Sequence, residues 1–168
     1  MKIGVLVEDY YQVLEVWYPY LRLREEGMQT VFVGPGRKKE YWSKEGYPAQ
    51  EEISAKKAKP EEFDGVIIPG GYAPDMLRRS DEIVDFVKAM HKQNKLIAAI
   101  CHAGWVLVSA GVLKGKKATC FSAIKDDVIN AGAEFIDKEV VVDGNLITSR
   151  NPYDLPFFLQ AIIKFFKD

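Results

Sequence analysis

The chain has 168 residues, enough for one domain with a real hydrophobic core, and a formal net charge of -1. That balance gives no bulk electrostatic reason to expect nucleic acid or an anionic membrane as partner, and the basic patch Arg37-Lys38-Lys39 reads as a solvated loop. Two cysteines do not make a disulfide framework, no apolar run approaches a membrane span, and no cationic-then-apolar leader precedes the first hydrophobic segment. A cytoplasmic, reducing setting is therefore expected, in which a free thiol survives.

Lys2 to Val7 is a first strand buried on both faces, followed by Glu8 to Gln12 at its carboxyl end. From Val13 the apolar positions Val16, Trp17, Tyr20 and Leu23 recur at helical spacing, Pro19 predicts a kink, and Gly27 supplies the stop. Gln29 to Val33 is a second strand, ended by Gly34-Pro35-Gly36, and Tyr41 to Gln50 reads as a hairpin or irregular excursion turning near Glu45-Gly46. A charged connector, Lys56 to Glu62, leads into a buried strand, Phe63 to Ile68, that ends in Pro69-Gly70-Gly71. Two glycines directly after a strand serve a tight turn or a close backbone approach.

Ser80 is a plausible N-cap, with Asp81 and Glu82 in the first turn of a helix running to about Asn94. Leu96 to Ile100 is a central buried strand, and His102 to Ala110 a helix closed by Gly111. Lys117 to Phe121 reads as a strand, Lys125 to Ala131 as a helix, and Glu134 to Ile136 as a short strand. Val140-Val141-Val142 and Leu146-Ile147-Thr148 flank the hairpin signal Asp143-Gly144-Asn145, and a last helix carries Pro156 in its first turn. Strands alternating with helices predict a single domain, residues 1–168, built as a three-layer α/β sandwich around a mostly parallel sheet.

Cys101 sits on the hinge between the central strand and its helix. A helix N-terminus beneath that hinge favours an anion, so the thiol is expected below the roughly 8.5 of free cysteine. The same pattern also fits an inert core thiol. The chain has only two histidines, and His91, near the C-terminal end of the preceding helix, falls at the opposite edge of the sheet. His102 is thus the imidazole available as base. The amides of His102 and Gly71 are candidate oxyanion donors, and Glu15, one turn after the first strand, is a carboxyl that reaches the same edge and could stay protonated near sulfur. Its ordinary alternative is a glutamate on the helix surface. Two cysteines and two histidines offer no zinc set, and no cofactor is expected.

The motifs Pro69-Gly70-Gly71-x-x-Pro74-Asp75 and Ile100-Cys101-His102-Ala103-Gly104, with Glu15 four before Pro19 and the tail Val140 to Asn145 with Thr148-Ser149-Arg150, resemble the ThiJ/PfpI superfamily in its PfpI-like branch. The likeness covers almost the whole chain. It implies a flavodoxin-like fold of the class I glutamine amidotransferase-like kind, a nucleophile-elbow cysteine at Cys101, the family glutamate at Glu15 and oxyanion donors at Gly71 and His102. It also implies a cysteine-dependent hydrolase or lyase: a deglycase or glyoxalase III-type enzyme acting on small carbonyl adducts, or an intracellular cysteine peptidase acting on peptides. An assembly of identical chains, dimer or hexamer, is implied as well, with Asp75 placed to orient the histidine of a neighbouring subunit. Two positions depart from the family pattern: Gln12 replaces a second acid of many members, and Phe121 replaces a tyrosine. A reading of another class is a redox-sensing stress protein or holdase that works through oxidation of Cys101.

Overall fold

The computed structural model describes residues 1–167. Its central sheet has the order β10-β11-β7-β6-β1-β2-β5, built from β1 (Lys2–Leu6), β2 (Gln29–Gly34), β5 (Ile53–Ser54), β6 (Gly65–Ile68), β7 (Leu96–Ile100), β10 (Val140–Asp143) and β11 (Leu146–Ser149). All neighbours are parallel except the terminal β10–β11 hairpin. Within it β2-β1-β6-β7-β11 reproduces the strand order 2-1-3-4-5 of flavodoxin-like folds, whose ligand crevice lies at the carboxyl ends of the strands where the winding reverses. Here that point lies between β1 and β6.

Strands β6 and β7 are buried along their whole length, as a sheet covered on both faces requires. Each fully buried side chain such as Ile67 contributes about 1.5–3 kcal/mol relative to exposure. Helices α1 (Val13–Glu25) and α6 (Leu155–Lys167) pack on each other and on the sheet. Helices α3 (Asp81–Lys92) and α4 (Gly104–Ala110) form a second packed group, which α2 (Ala73–Leu77) and α5 (Lys125–Asn130) join through α4. These two groups and the sheet make the three layers. Ser80 caps α3 by accepting from the Ile83 amide, and Gly111 closes α4 in the left-handed conformation at φ 68°.

Several local expectations change. Helix α1 runs through Pro19 as one continuous helix of 13 residues. The segment from Lys117 is only a two-residue strand, β8 (Lys117–Ala118), pairing with β9 (Glu134–Phe135) outside the main sheet. From Thr119 the backbone leaves that ladder, because the Thr119 amide donates to the Thr148 hydroxyl and the Phe121 amide to the Cys101 carbonyl. Helix α2 has no counterpart in the sequence pattern: it is five residues long and carries Pro74 in its first turn, too short for a periodic signal. The hairpin expected after β2 is real, with β3 (Glu40–Trp42) and β4 (Pro48–Gln50) antiparallel.

Candidate active site

Three turns meet at the carboxyl edge. After β1 the chain passes through Tyr10, at φ 60°, into α1, whose N-cap is Gln12: its side chain accepts from the Glu15 amide at 2.9 Å. The residue standing where the resembled family often has an acid is therefore a helix cap here. The cap starts α1 so that Glu15 falls in its first turn, facing inward and fully buried.

After β6 come Gly70 and Gly71. The Gly70 amide donates to Glu15 Oε2 at 2.6 Å, and a Cβ on Gly70 would lie 2.6 Å from that oxygen and 2.7 Å from Cys101 Cβ. Gly71 adopts φ 74°, with its own notional Cβ 2.5 Å from the Tyr10 carbonyl oxygen. The pair thus makes both a turn and a close approach. Gly70 is the residue the motif pointed to without a role: it seats the carboxyl and leaves the space that brings strand end, carboxyl and sulfur together.

After β7, Cys101 is held at φ 63° with 8% of its surface exposed. Its Sγ lies 3.3 Å from His102 Nδ1. The residues that follow, Cys101–Ala103, form a 3-10 turn, and α4 begins only at Gly104. The expectation of a lowered thiol pKa is overturned here. The amides of His102 and Gly71 favour the anion, but burial and the charge of an ionised Glu15 outweigh them, and the thiol is pushed up to about 12. Burial likewise raises Glu15 to about 8, against the opposing hydrogen bond from Gly70. At pH 7 Glu15 is therefore a neutral acid, and its repulsion of a thiolate is switched off. Its Oε1 is buried without a hydrogen-bond partner. Losing the thiol proton then depends on the base beside it.

That base is kept neutral: burial lowers the His102 pKa below the usual imidazole value. The ring stacks on Phe121 with centroids 4.8 Å apart and meets the edge of Trp105 at 5.4 Å. Trp105 is anchored in turn by donating Nε1–H to Asp127 at 2.9 Å. Phe121 thus fixes the imidazole by contact where a tyrosine would add a hydroxyl. In the sequence Phe121 stands out only as a departure from the family pattern, since nothing in the linear pattern brings it beside His102.

Cys101, His102, Glu15 and Gly71 are brought together, whereas Asp75 is not. It lies on α2, half-exposed and ion-paired with Arg79, and within the chain makes no hydrogen bond to His102. His91 sits in the last turn of α3, before the amino end of β7, as expected from its place in the crossover. No group of three or more His, Cys, Asp or Glu side chains among the described residues is arranged to hold a metal ion. No helix among them is long and apolar enough to cross a membrane.

Comparison with known proteins gives the same picture along the whole length. The DJ-1/PfpI family pattern matches residues 1–165. Deglycase PH1704 of Pyrococcus horikoshii is 41% identical over 167 residues, covering 99% of this chain and 100% of that protein. YraA of Bacillus subtilis, whose name proposes a cysteine protease, is 37% identical over 166 residues, covering 99% of this chain and 98% of YraA. A crystal structure of a two-domain protein from Anabaena variabilis, with DJ-1/ThiJ/PfpI-like and ferritin-like domains, superposes with a TM-score of 0.95 at 42% identity. The match covers 97% of this chain and 47% of that one, so the chain spans about half of the two-domain protein. With its strand order, its cysteine hinge and these relatives in agreement, the chain belongs to the DJ-1/PfpI family.

Proposed function

We propose that the protein is a cysteine-dependent hydrolase or lyase acting on glyoxal-derived carbonyl adducts, in the manner of a deglycase or a glyoxalase III-type enzyme. The observation that carries this reading is the 3.3 Å contact between Cys101 Sγ and the neutral, ring-stacked His102 Nδ1, set beside a buried carboxyl. His102 takes the thiol proton as sulfur adds to the carbonyl carbon, and the π electrons of that bond move to oxygen. The amides of Gly71 and His102 are the donors available to the resulting oxyanion, and preorganised donors of this kind are worth about 10²–10³ in rate each. Neutral Glu15 positions the sulfur without repelling its anion. A buried thiol of raised pKa reacts only when a base and a bound substrate act together, which suits an enzyme that must not be alkylated at random.

Loss of methylglyoxal, or of its adduct with a thiol, measured for the wild type and for Cys101→Ala tests the reading. Equal rates in the two proteins overturn it. The name of YraA favours a second reading, a peptidase, in which the leaving amine needs an acid to protonate it. Cleavage of an unfolded peptide by the wild type, lost in Cys101→Ala, would decide for it. In either case we take the working form to be an assembly of identical chains, with the exposed Asp75 of one copy turned toward His102 of the next.

A further inference from the structure

A cleft opens at the same sheet edge, about 400 Å³ in volume, walled by Phe121, Phe135, Ser122, Lys125, Arg150 and Asn151, with Cys120 and Asp137 also on its lining. Two features tie it to the reactive centre. Phe121 forms its wall and stacks on His102, and its amide donates to the Cys101 carbonyl at 3.2 Å. Arg150 and Asn151 follow Ser149, whose register partner across the sheet is Ile100, the residue before the nucleophile. Phe121 is thus a wall common to the cleft and the reactive centre, and its edge is the route that a substrate bound at Cys101 would take to reach the cleft.

The charges in it are unequal in their freedom. Arg150 is committed: it binds Asp154 through two nitrogens at 2.8 and 3.2 Å and Asp137 through a third at 2.9 Å. Asp137 thereby has a guanidinium partner, one that it shares with Asp154. Asn151 uses its side-chain oxygen to accept from the Tyr153 amide. Lys125 has no hydrogen bond or ion pair among the described residues, and its ammonium lies 5.2 Å from the Phe135 ring centroid. The cleft thus offers one uncommitted cation, the Ser122 hydroxyl and two aromatic walls.

Building on the reading of Cys101 above, we propose that this cleft is a specificity subsite in which Lys125 receives an anionic group, carboxylate or phosphate, carried by the substrate remote from its reacting carbonyl. The favoured substrates are then adducts of acidic small molecules, and neutral adducts of equal size are poorer. Phe121 and Phe135 hold the intervening apolar part, and Ser122 supplies a second hydrogen bond to the anion. The role of Lys125 is in binding, so it acts on KM and leaves the chemistry at sulfur to Cys101 and His102.

The test compares matched methylglyoxal hemithioacetals of N-acetylcysteine and of N-acetylcysteine amide, and of 4′-phosphopantetheine and pantetheine. The wild type should show a KM lower for an anionic member than for its neutral partner by about tenfold, the size of one charge-assisted contact at a partly open site. Lys125→Gln should erase that ratio and Lys125→Arg should restore most of it. The pair that shows the preference identifies carboxylate or phosphate as the source. Absence of any preference in the wild type, or its persistence in Lys125→Gln, overturns the subsite. If the wild type turns over none of the adducts, the proposed chemistry falls, and the subsite is then decided by calorimetric binding of the same pairs to Cys101→Ser. Tighter binding of an anionic member, lost when Lys125→Gln is added, supports it, and equal binding overturns it.

Discussion

Gly70→Ala puts the construction of the site to a direct test, because Gly70 carries no positive-φ constraint and the added methyl acts by contact alone. That methyl would stand 2.6 Å from Glu15 Oε2, 2.7 Å from Cys101 Cβ and 3.1 Å from the His102 amide nitrogen, where ordinary contacts need well over 3 Å. The carboxyl is the group most able to move, and moving it breaks the 2.6 Å bond from the Gly70 amide. Overpacking of a tight interior costs about 1–3 kcal/mol, and a hydrogen bond to a buried carboxyl about as much again. For a domain of this size the melting temperature should fall by roughly 4–20 °C, followed by circular dichroism. Turnover should fall by about 10²-fold, since displacements near 1 Å at reacting groups carry losses of that order. A variant that melts within about 2 °C of the wild type and keeps its turnover would refute the claim that Gly70 brings carboxyl and sulfur together.

Three further outcomes follow from the same geometry. Glu15 gains a proton affinity in the folded state, from the 4.5 of a free glutamate to about 8, so its contribution to stability is fully present below pH 4.5 and is lost as pH rises through 8. Chemical denaturation across that window should show a decline for the wild type relative to Glu15→Gln of up to about 5 kcal/mol, and parallel profiles would count against a neutral buried carboxyl. Alkylation of Cys101 by iodoacetamide should be slower at pH 7 than that of a free cysteine and should climb steadily into the alkaline range, since burial raises the thiol; thiolate absorbance at 240 nm already present at pH 6 would contradict this. Asp75→Asn should leave the melting temperature nearly unchanged, because its partner Arg79 is an exposed one. It should also remove any rise in specific activity with protein concentration, and an unchanged rise would take Asp75 out of the site.

The sequence made the strands of the sheet easier to read than the chemistry at its edge. Continuous apolar runs such as Leu96 to Ile100 announce strands covered on both faces, and Ser80 and Gly111 mark helix ends by well-understood capping physics. Cys101, Glu15 and Gly71 could be placed at one edge because each follows a buried strand. The thiol's titration could not be read in the same way. It depends on how deeply Cys101 is buried and on the distant Glu15 carboxyl, and the helix beneath the sulfur begins two residues later than the linear pattern implied. The stacking of Phe121 on His102 and the two-residue length of β8 were hidden for a related reason. Both depend on side-chain and backbone bonds to Thr148 and Cys101, partners 29 and 20 positions away.

The left-handed backbone at Cys101 bears on when the protein becomes reactive during its synthesis. A non-glycine residue in that conformation costs about 1–2 kcal/mol, and a nascent chain that ends just after β7 lacks part of what enforces it. Enforcement comes from both directions along the polypeptide: Gly70 and Gly71 have already been made, but Phe121, whose amide engages the Cys101 carbonyl, emerges twenty residues afterwards. The sulfur is aimed only once that later segment has docked. An incompletely made or partly melted molecule should therefore carry an ordinary, undirected thiol, and activity on refolding should not appear before the Phe121 segment has docked.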